Sequence, residues 1–150
     1  MSRPSPFSSR ARVSLAIARA LAAGRGERDL APLHVALGLL REGENAALAV
    51  LHHHGLDLSA LRTEVERALG APPGGSQPDE VALPATPGEE RLVVLAREAS
   101  ARVGDEHVGP EHLLLAIVGL SGDAASAILT RHGVTPDSAV AAMGVVIHRH

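Results

Sequence analysis

The chain has 150 residues, 14 Lys+Arg against 17 Asp+Glu, a formal net charge of −3, no Cys and a single aromatic residue, Phe7. The missing Cys removes disulfides, thiolate zinc sites and Cys nucleophiles, and the mild acidity argues against nucleic acid as the main partner, because neutralising phosphates needs a basic surface. No apolar stretch approaches the ~20 residues a membrane span needs, and no uninterrupted apolar run of the secretory kind follows Arg3, Arg10 and Arg12.

A core without Trp or Tyr must be built from Leu, Val, Ile and Ala, and these small side chains suit closely packed helices better than a sheet. In chain order, Ser8 or Ser9 is placed to cap a first helix reaching about Ala23, ended by Gly24 and Gly26. Pro32 suits the first turn of a second helix, where its missing N–H costs nothing, running to about Arg41 and stopping at Gly43. Asn45 caps a third that ends at Gly55, a left-handed C′ residue, and Asp57 caps a fourth to about Leu69. Three prolines and two glycines among residues 71–80 exclude a helix or central strand there and predict an exposed linker, about 71–84. Thr86-Pro87-Gly88-Glu89 has the form of a capping box, with a hydroxyl at the N-cap and Glu at the third helical position. Pro110 opens the next helix, Asp123 caps the one after, Gly133 closes it, and Thr135-Pro136 opens the last. Leu92, Leu95, Ala96 and Ala99 share one face, as do Leu113, Leu114, Ile117 and Val118.

The chain also repeats itself. Shifted by 78 residues without a gap, Pro32 and His34 fall on Pro110 and His112, Ala46-Ala47 on Ala124-Ala125, and His54-Gly55 on His132-Gly133. The absence of gaps implies two copies of one four-helix unit, about 7–70 and 85–148. Each copy has amphipathic helices that can bury their faces against the twin. The expectation is all-α: two pseudo-twofold-related four-helix repeats forming one eight-helix domain over 1–150.

Phe7-Ser8-Ser9-Arg10-Ala11-Arg12, Gly109-Pro110-Glu111-His112-Leu113-Leu114-Leu115 and Leu39-Leu40-Arg41-Glu42-Gly43-Glu44 together resemble the Clp N-terminal domain. This is the tandem-repeat module at the front of Clp-family AAA+ unfoldases, especially the ClpC type. The resemblance covers both copies. The chain has no Gly-x-x-x-x-Gly-Lys-Ser/Thr loop and no Lys at all, so 150 residues taken as a whole predict a stand-alone N-domain that hydrolyses no ATP.

The resemblance implies a protein-binding module that captures clients or adaptors, or modulates a Clp AAA+ unfoldase. The residues themselves give the expectation of a non-enzymatic, cytoplasmic protein with no cofactor and no nucleic-acid or membrane partner. In ClpC-type members the module also recognises phosphorylated arginine. A guanidinium calls for a carboxylate, ideally bidentate, and a phosphoryl group suits the N–H groups of a helix N-terminus helped by a hydroxyl. By the resemblance, the Glu of a Gly-Thr-Glu-His motif and the Thr that opens the repeat supply these groups, once per repeat. Matched residue by residue, the second copy keeps Thr86 and Glu111, with Pro110 for the motif Thr and Gly88 for the Arg after Thr-Pro. The first copy keeps a hydroxyl, Ser8, but has Leu33 in place of the acid. One arginine-type pocket, marked by Thr86 and Glu111, is the expectation.

The histidines offer the competing reading, a small-ligand or metal sensor. His52-His53-His54 stand about 100° apart on a helix and cannot converge on one ion without help from elsewhere, such as His148 or His150. His34 and His112 match across the copies and are expected to be structural, each ring bonding a loop carbonyl near a helix start. No Gly-x-Ser-x-Gly elbow is present.

Overall fold

The computed structural model describes residues 7–27, 29–70 and 86–146. The expected linker lies outside these residues, as do His148 and His150. The helices are α1 (Ser9–Gly24), α2 (Pro32–Glu42), α3 (Ala46–His53), α4 (Leu58–Leu69), α5 (Pro87–Arg102), α6 (Pro110–Val118), α7 (Ala124–Arg131) and α8 (Pro136–Val146). The all-α, eight-helix expectation holds, with one isolated bridge between Phe7 and Val108. No helix among the described residues is long and apolar enough to cross a membrane.

The ends form where the cap chemistry puts them. Ser8, Asn45, Asp57, Thr86 and Asp123 each accept a backbone N–H from the first turn they precede. Each such cap satisfies a donor the helix cannot, a contribution of about 1 kcal/mol. Gly43, Gly55 and Gly133 end their helices at φ of 87°, 81° and 86°, where a Cβ would be strained. At α8, Ser138 N–H donates to Thr135 Oγ1 while Thr135 N–H donates to Ser138 Oγ, a reciprocal cap. The cap at α5 is only half of the expected box. Thr86 Oγ1 accepts from Glu89 N–H, but the Glu89 carboxylate turns away to Arg19 on α1. A guanidinium offers two charge-assisted bonds where the cap backbone offers one.

The core centres on α2 and α6. His34 to Leu40 are all buried, and so are Pro110 and His112 to Val118. Gly38 lets α1 lie close on α2, since a Cβ there would overlap the Ser14 carbonyl oxygen and come within 3.3 Å of Ala18 N.

The two repeats interlock. Ser8 N–H donates to Val108 O at 3.0 Å, and Leu30 N–H donates to Thr86 Oγ1 at 3.2 Å. Ser8 and Thr86 are matched positions, and so are Leu30 and Val108. His54 accepts from Ser138 Oγ at 2.9 Å, and its matched residue His132 meets Glu64 at 2.7 Å. Likewise α3 packs on α6 and α8, while α7 packs on α2 and α4. Each repeat's first helix therefore starts against the other repeat's second, as a pseudo-twofold requires.

Candidate functional site

The openings of α2 and α6 share one device. Neither Ala31 nor Gly109 has a side-chain oxygen to cap with. The histidine three residues on does the work instead: Ala31 N–H donates to His34 Nδ1 at 2.9 Å, and Gly109 N–H to His112 Nδ1 at 2.8 Å. The expected bond to a loop carbonyl is thus replaced by one from a loop N–H. A helix start leaves N–H groups, not carbonyls, in need of partners.

That bond sets the tautomer. With Nδ1 accepting, the proton sits on Nε2. In α6, His112 Nε2–H donates to Asp105 Oδ2 at 2.8 Å. In α2 the matched acid is Glu27, which is exposed, and His34 Nε2 is buried with no hydrogen-bond partner. Burial pushes the His34 pKa down, the charge of Glu27 opposes this, and Arg25 adds to it.

Glu111 stands in the first turn of α6, half-buried, and its carboxylate lies over Gly109. A Cβ on Gly109 would overlap that carboxylate. The matched pair in α2 is Ala31 and Leu33. The Glu111 carboxylate makes no hydrogen bond or ion pair among the described residues. It lines a shallow cavity of ≈ 260 Å³ with Ser8, Asp105, Glu106 and His107. Ser8 is the α1 cap, its Oγ accepting from Ala11 N–H at 3.2 Å and its O–H left to donate.

Thr86 is elsewhere. Its Oγ1 accepts from Glu89 N–H and Leu30 N–H, both at 3.2 Å. Beside it, Asp29 Oδ1 accepts from Gly88 N–H at 2.8 Å and Leu30 N–H at 2.9 Å. The Asp29 carboxyl is held below the usual carboxylate range, first by the Thr86 hydroxyl and then by the Gly88 N–H. The structure thus does not bring Thr86 and Glu111 into one cavity. The twofold crosses the pairing, giving Glu111 the hydroxyl of the other repeat. Sequence reasoning named Ser8 as the first copy's hydroxyl but paired Glu111 with Thr86, because it matched each carboxylate with a hydroxyl of its own repeat, and it did not single out Asp29. The 78-residue shift shows that the copies match, but not that their helix starts are exchanged.

The carboxylate oxygens of Asp105 and Glu111 and a ring nitrogen of His112 lie within 4.8 Å of one another, a spacing that a cation could use. The ring argues against it. Nδ1 is taken by Gly109 N–H, so Nε2 holds a proton where a metal would need a lone pair. His52 and His53 are exposed on α3, while His54 turns to Val50 O and Ser138. The triplet meets no such grouping among the described residues. The His54–Ser138 contact belongs to the α8 cap, where the Ser138 oxygen already accepts from Thr135 N–H.

The comparisons with known proteins agree on one family. The family model of the Clp repeat N-terminal domain matches residues 6–138. The chain is 32% identical over 133 residues to the chaperone protein ClpB of Oceanobacillus iheyensis, and 31% identical over 133 to the negative regulator of genetic competence ClpC/MecB of Bacillus subtilis. Each alignment covers 89% of this chain and 16% of the relative, so the chain spans about a sixth of the curated relatives' length. Among solved structures, the Hsp104 N-terminal domain of Candida albicans superposes with a TM-score of 0.71 at 18% identity, covering 96% of this chain and 93% of that one. The N-terminal domain of ClpD from Arabidopsis thaliana does so with a TM-score of 0.64 at 19% identity, covering 95% of each. These two show the fold.

Proposed function

The chain belongs to the Clp repeat N-terminal domain family, and from that premise we propose that it is a non-enzymatic protein-binding module. It receives an arginine-bearing segment of a client or adaptor at the cavity between Glu111 and Ser8. One observation carries this reading: the Glu111 carboxylate is half-buried, lacks a partner among the described residues and faces a cavity. A carboxylate so placed suits a guanidinium, which can meet both its oxygens at once.

If the arginine is phosphorylated, the phosphoryl group has the Ser8 O–H and the first N–H groups of α1 beside it. The matched place at α5, marked by Thr86, holds the Asp29 carboxylate on the Gly88 N–H. A second phosphoryl group would have to displace it. The proposal therefore centres on Glu111 and assigns Thr86 to the cap and the Leu30 contact. In the cytoplasm such a module captures clients or adaptors, or tunes a Clp AAA+ unfoldase by competing for them.

The test is a titration of phosphoarginine, and separately of an unmodified arginine peptide, followed by amide NMR shifts. Saturable shifts at Glu111, Gly109 and Ser8, abolished in Glu111→Ala, support the reading. Shifts of equal size in Glu111→Ala, or none at millimolar ligand, overturn it.

A further inference from the structure

The two repeats differ most on their last helices. On α4 the outward face carries Ser59, Arg62, Thr63, Arg67 and the half-buried Glu66 beside two alanines, Ala60 and Ala68, the largely polar face of a helix that meets water. The α8 positions matched to these polar residues are Asp137, Val140, Ala141, Gly144 and Val145, all exposed. Val140 and Val145 are each 42% exposed, and a Cβ on Gly144 would meet nothing within 4 Å. The twin shows what this helix looks like when solvent covers it, and α8 puts Val140, Ala141, Gly144 and Val145 where α4 has Arg62, Thr63, Glu66 and Arg67.

Beside this face runs a groove of ≈ 400 Å³ between α5, α6 and α8, with Leu95, Val103, Leu120 and Val140 on its walls. In the first repeat the corresponding rim is polar. Arg41 and Arg62 both reach Glu66, and Arg25 donates to the Leu69 and Gly70 carbonyls. The second repeat has Gly119, Val140, Gly144 and Val103 at the places of Arg41, Arg62, Glu66 and Arg25. The polar closure of one repeat is an open apolar surface in the other.

Two charges remain in this groove, Arg102 from the last turn of α5 and Asp137 from the first turn of α8. Neither has an ion-pair partner among the described residues, and they do not pair with each other. A surface with one unpaired cation and one unpaired anion is complementary to itself. A twofold axis through it sets each Arg102 against the other copy's Asp137, and the same bond forms twice. Ala141 and Gly144 lie one helical turn apart on the exposed face and let two α8 helices approach closely.

We infer that the α5–α6–α8 groove and the outer face of α8 form a self-association surface, on which a second copy of this chain docks with Arg102 facing Asp137 of that copy. The cavity proposed for arginine and this groove share no lining residue, so the association and that reading are independent.

The experiment is sedimentation equilibrium with interference optics, since the chain lacks Trp and Tyr. Wild type is expected to shift from monomer to dimer between micromolar and millimolar concentration. Val140→Arg, which installs the twin's residue at an exposed position, is expected to weaken the dimer by roughly tenfold or more. Arg102→Asp and Asp137→Arg each set like charges together and are expected to remain monomeric, while an equimolar mixture of the two dimerises, because every facing pair is then opposite. That mixture separates a lost contact from a lost fold. Wild type that stays monomeric to millimolar concentration overturns the proposal. So does a dimer indifferent to Val140→Arg, or a mixture no more associated than its components. A monomer whose groove resonances shift with an added amphipathic helical peptide assigns the groove to a foreign helix and also overturns it.

Discussion

Arg19 of α1 and Glu89 of α5 join the two repeats through two parallel N–H···O bonds, Nε to Oε1 at 2.7 Å and Nη2 to Oε2 at 2.5 Å. Their exposure is unequal. The Glu89 side chain is 3% exposed and that of Arg19 27%. Removing the arginine leaves a buried carboxylate without its cation, whereas removing the acid leaves a cation that still reaches water. Arg19→Ala is therefore expected to cost about 3 kcal/mol, and Glu89→Gln clearly less. Urea denaturation followed by far-UV circular dichroism measures both. Equal costs would mean that the burial asymmetry has no energetic weight.

Gly38 sits where α1 and α2 come closest, and the obstacle to a side chain there is backbone, the Ser14 carbonyl, which cannot rotate aside. Gly38→Ala is expected to destabilise by about 1–3 kcal/mol through overpacking, even though alanine is the better helix former. The matched Ala116 already carries that methyl group. Ala116→Gly should thus show only the propensity penalty and the loss of one methyl. The sign of the Gly38→Ala effect in thermal denaturation checks the argument.

Gly109 and Glu111 give a pair of variants with one predicted phenotype. A Cβ at Gly109 meets the Glu111 carboxylate, the end of a flexible side chain. The backbone tolerates alanine here, since Gly109 has φ −105° and its twin Ala31 has φ −94°. Gly109→Ala should leave the melting temperature nearly unchanged and push the carboxylate off its seat. A charge-assisted hydrogen bond contributes about 1.5–3 kcal/mol, so Glu111→Ala is expected to weaken arginine-ligand binding by roughly 10- to 100-fold. Gly109→Ala should show a smaller loss in the same calorimetric titration.

His34 predicts a pH dependence. Its folded pKa lies below the ordinary histidine value because burial disfavours the imidazolium. The unfolded chain therefore takes up a proton that the folded chain refuses. Stability is full above the ordinary histidine range. It falls as pH drops through that range, until the folded pKa is reached. His34→Asn keeps an oxygen for the Ala31 N–H and removes the titration. Its baseline should be lower for the lost ring, but its urea midpoint should vary less between neutral and mildly acidic pH. A wild type and variant with parallel profiles would place the titration elsewhere.

The helices were legible because their ends are written locally. Ser8, Asn45, Asp57, Thr86 and Asp123 cap as their side chains dictate, and each acts on a turn that directly follows it. The twofold was legible from the gapless shift. Of the candidate site the residues Ser8 and Glu111 were legible but their pairing was not, because they stand about a hundred positions apart and in different repeats. Glu89 shows the same limit on a small scale. Its spacing from Thr86 suits a capping box, and a guanidinium seventy residues earlier outbids the cap. Local chemistry proposes a partner, and only the packing of the two copies reveals that a stronger one stands nearer.

The exchanged helix starts have a consequence for how such a chain arises. Two identical copies of a single four-helix unit, each holding the start of the other's first helix, would form a symmetric pair with two equal cavities. Fusing them into one polypeptide keeps the arrangement but releases the two halves from the obligation to be alike. One half can then lose its acid to Leu33 while the other keeps Glu111, and one last helix can stay charged while the other turns apolar. The same geometry implies that fragments 7–70 and 86–146, made as separate polypeptides, should each be unstable alone and regain the fold on mixing.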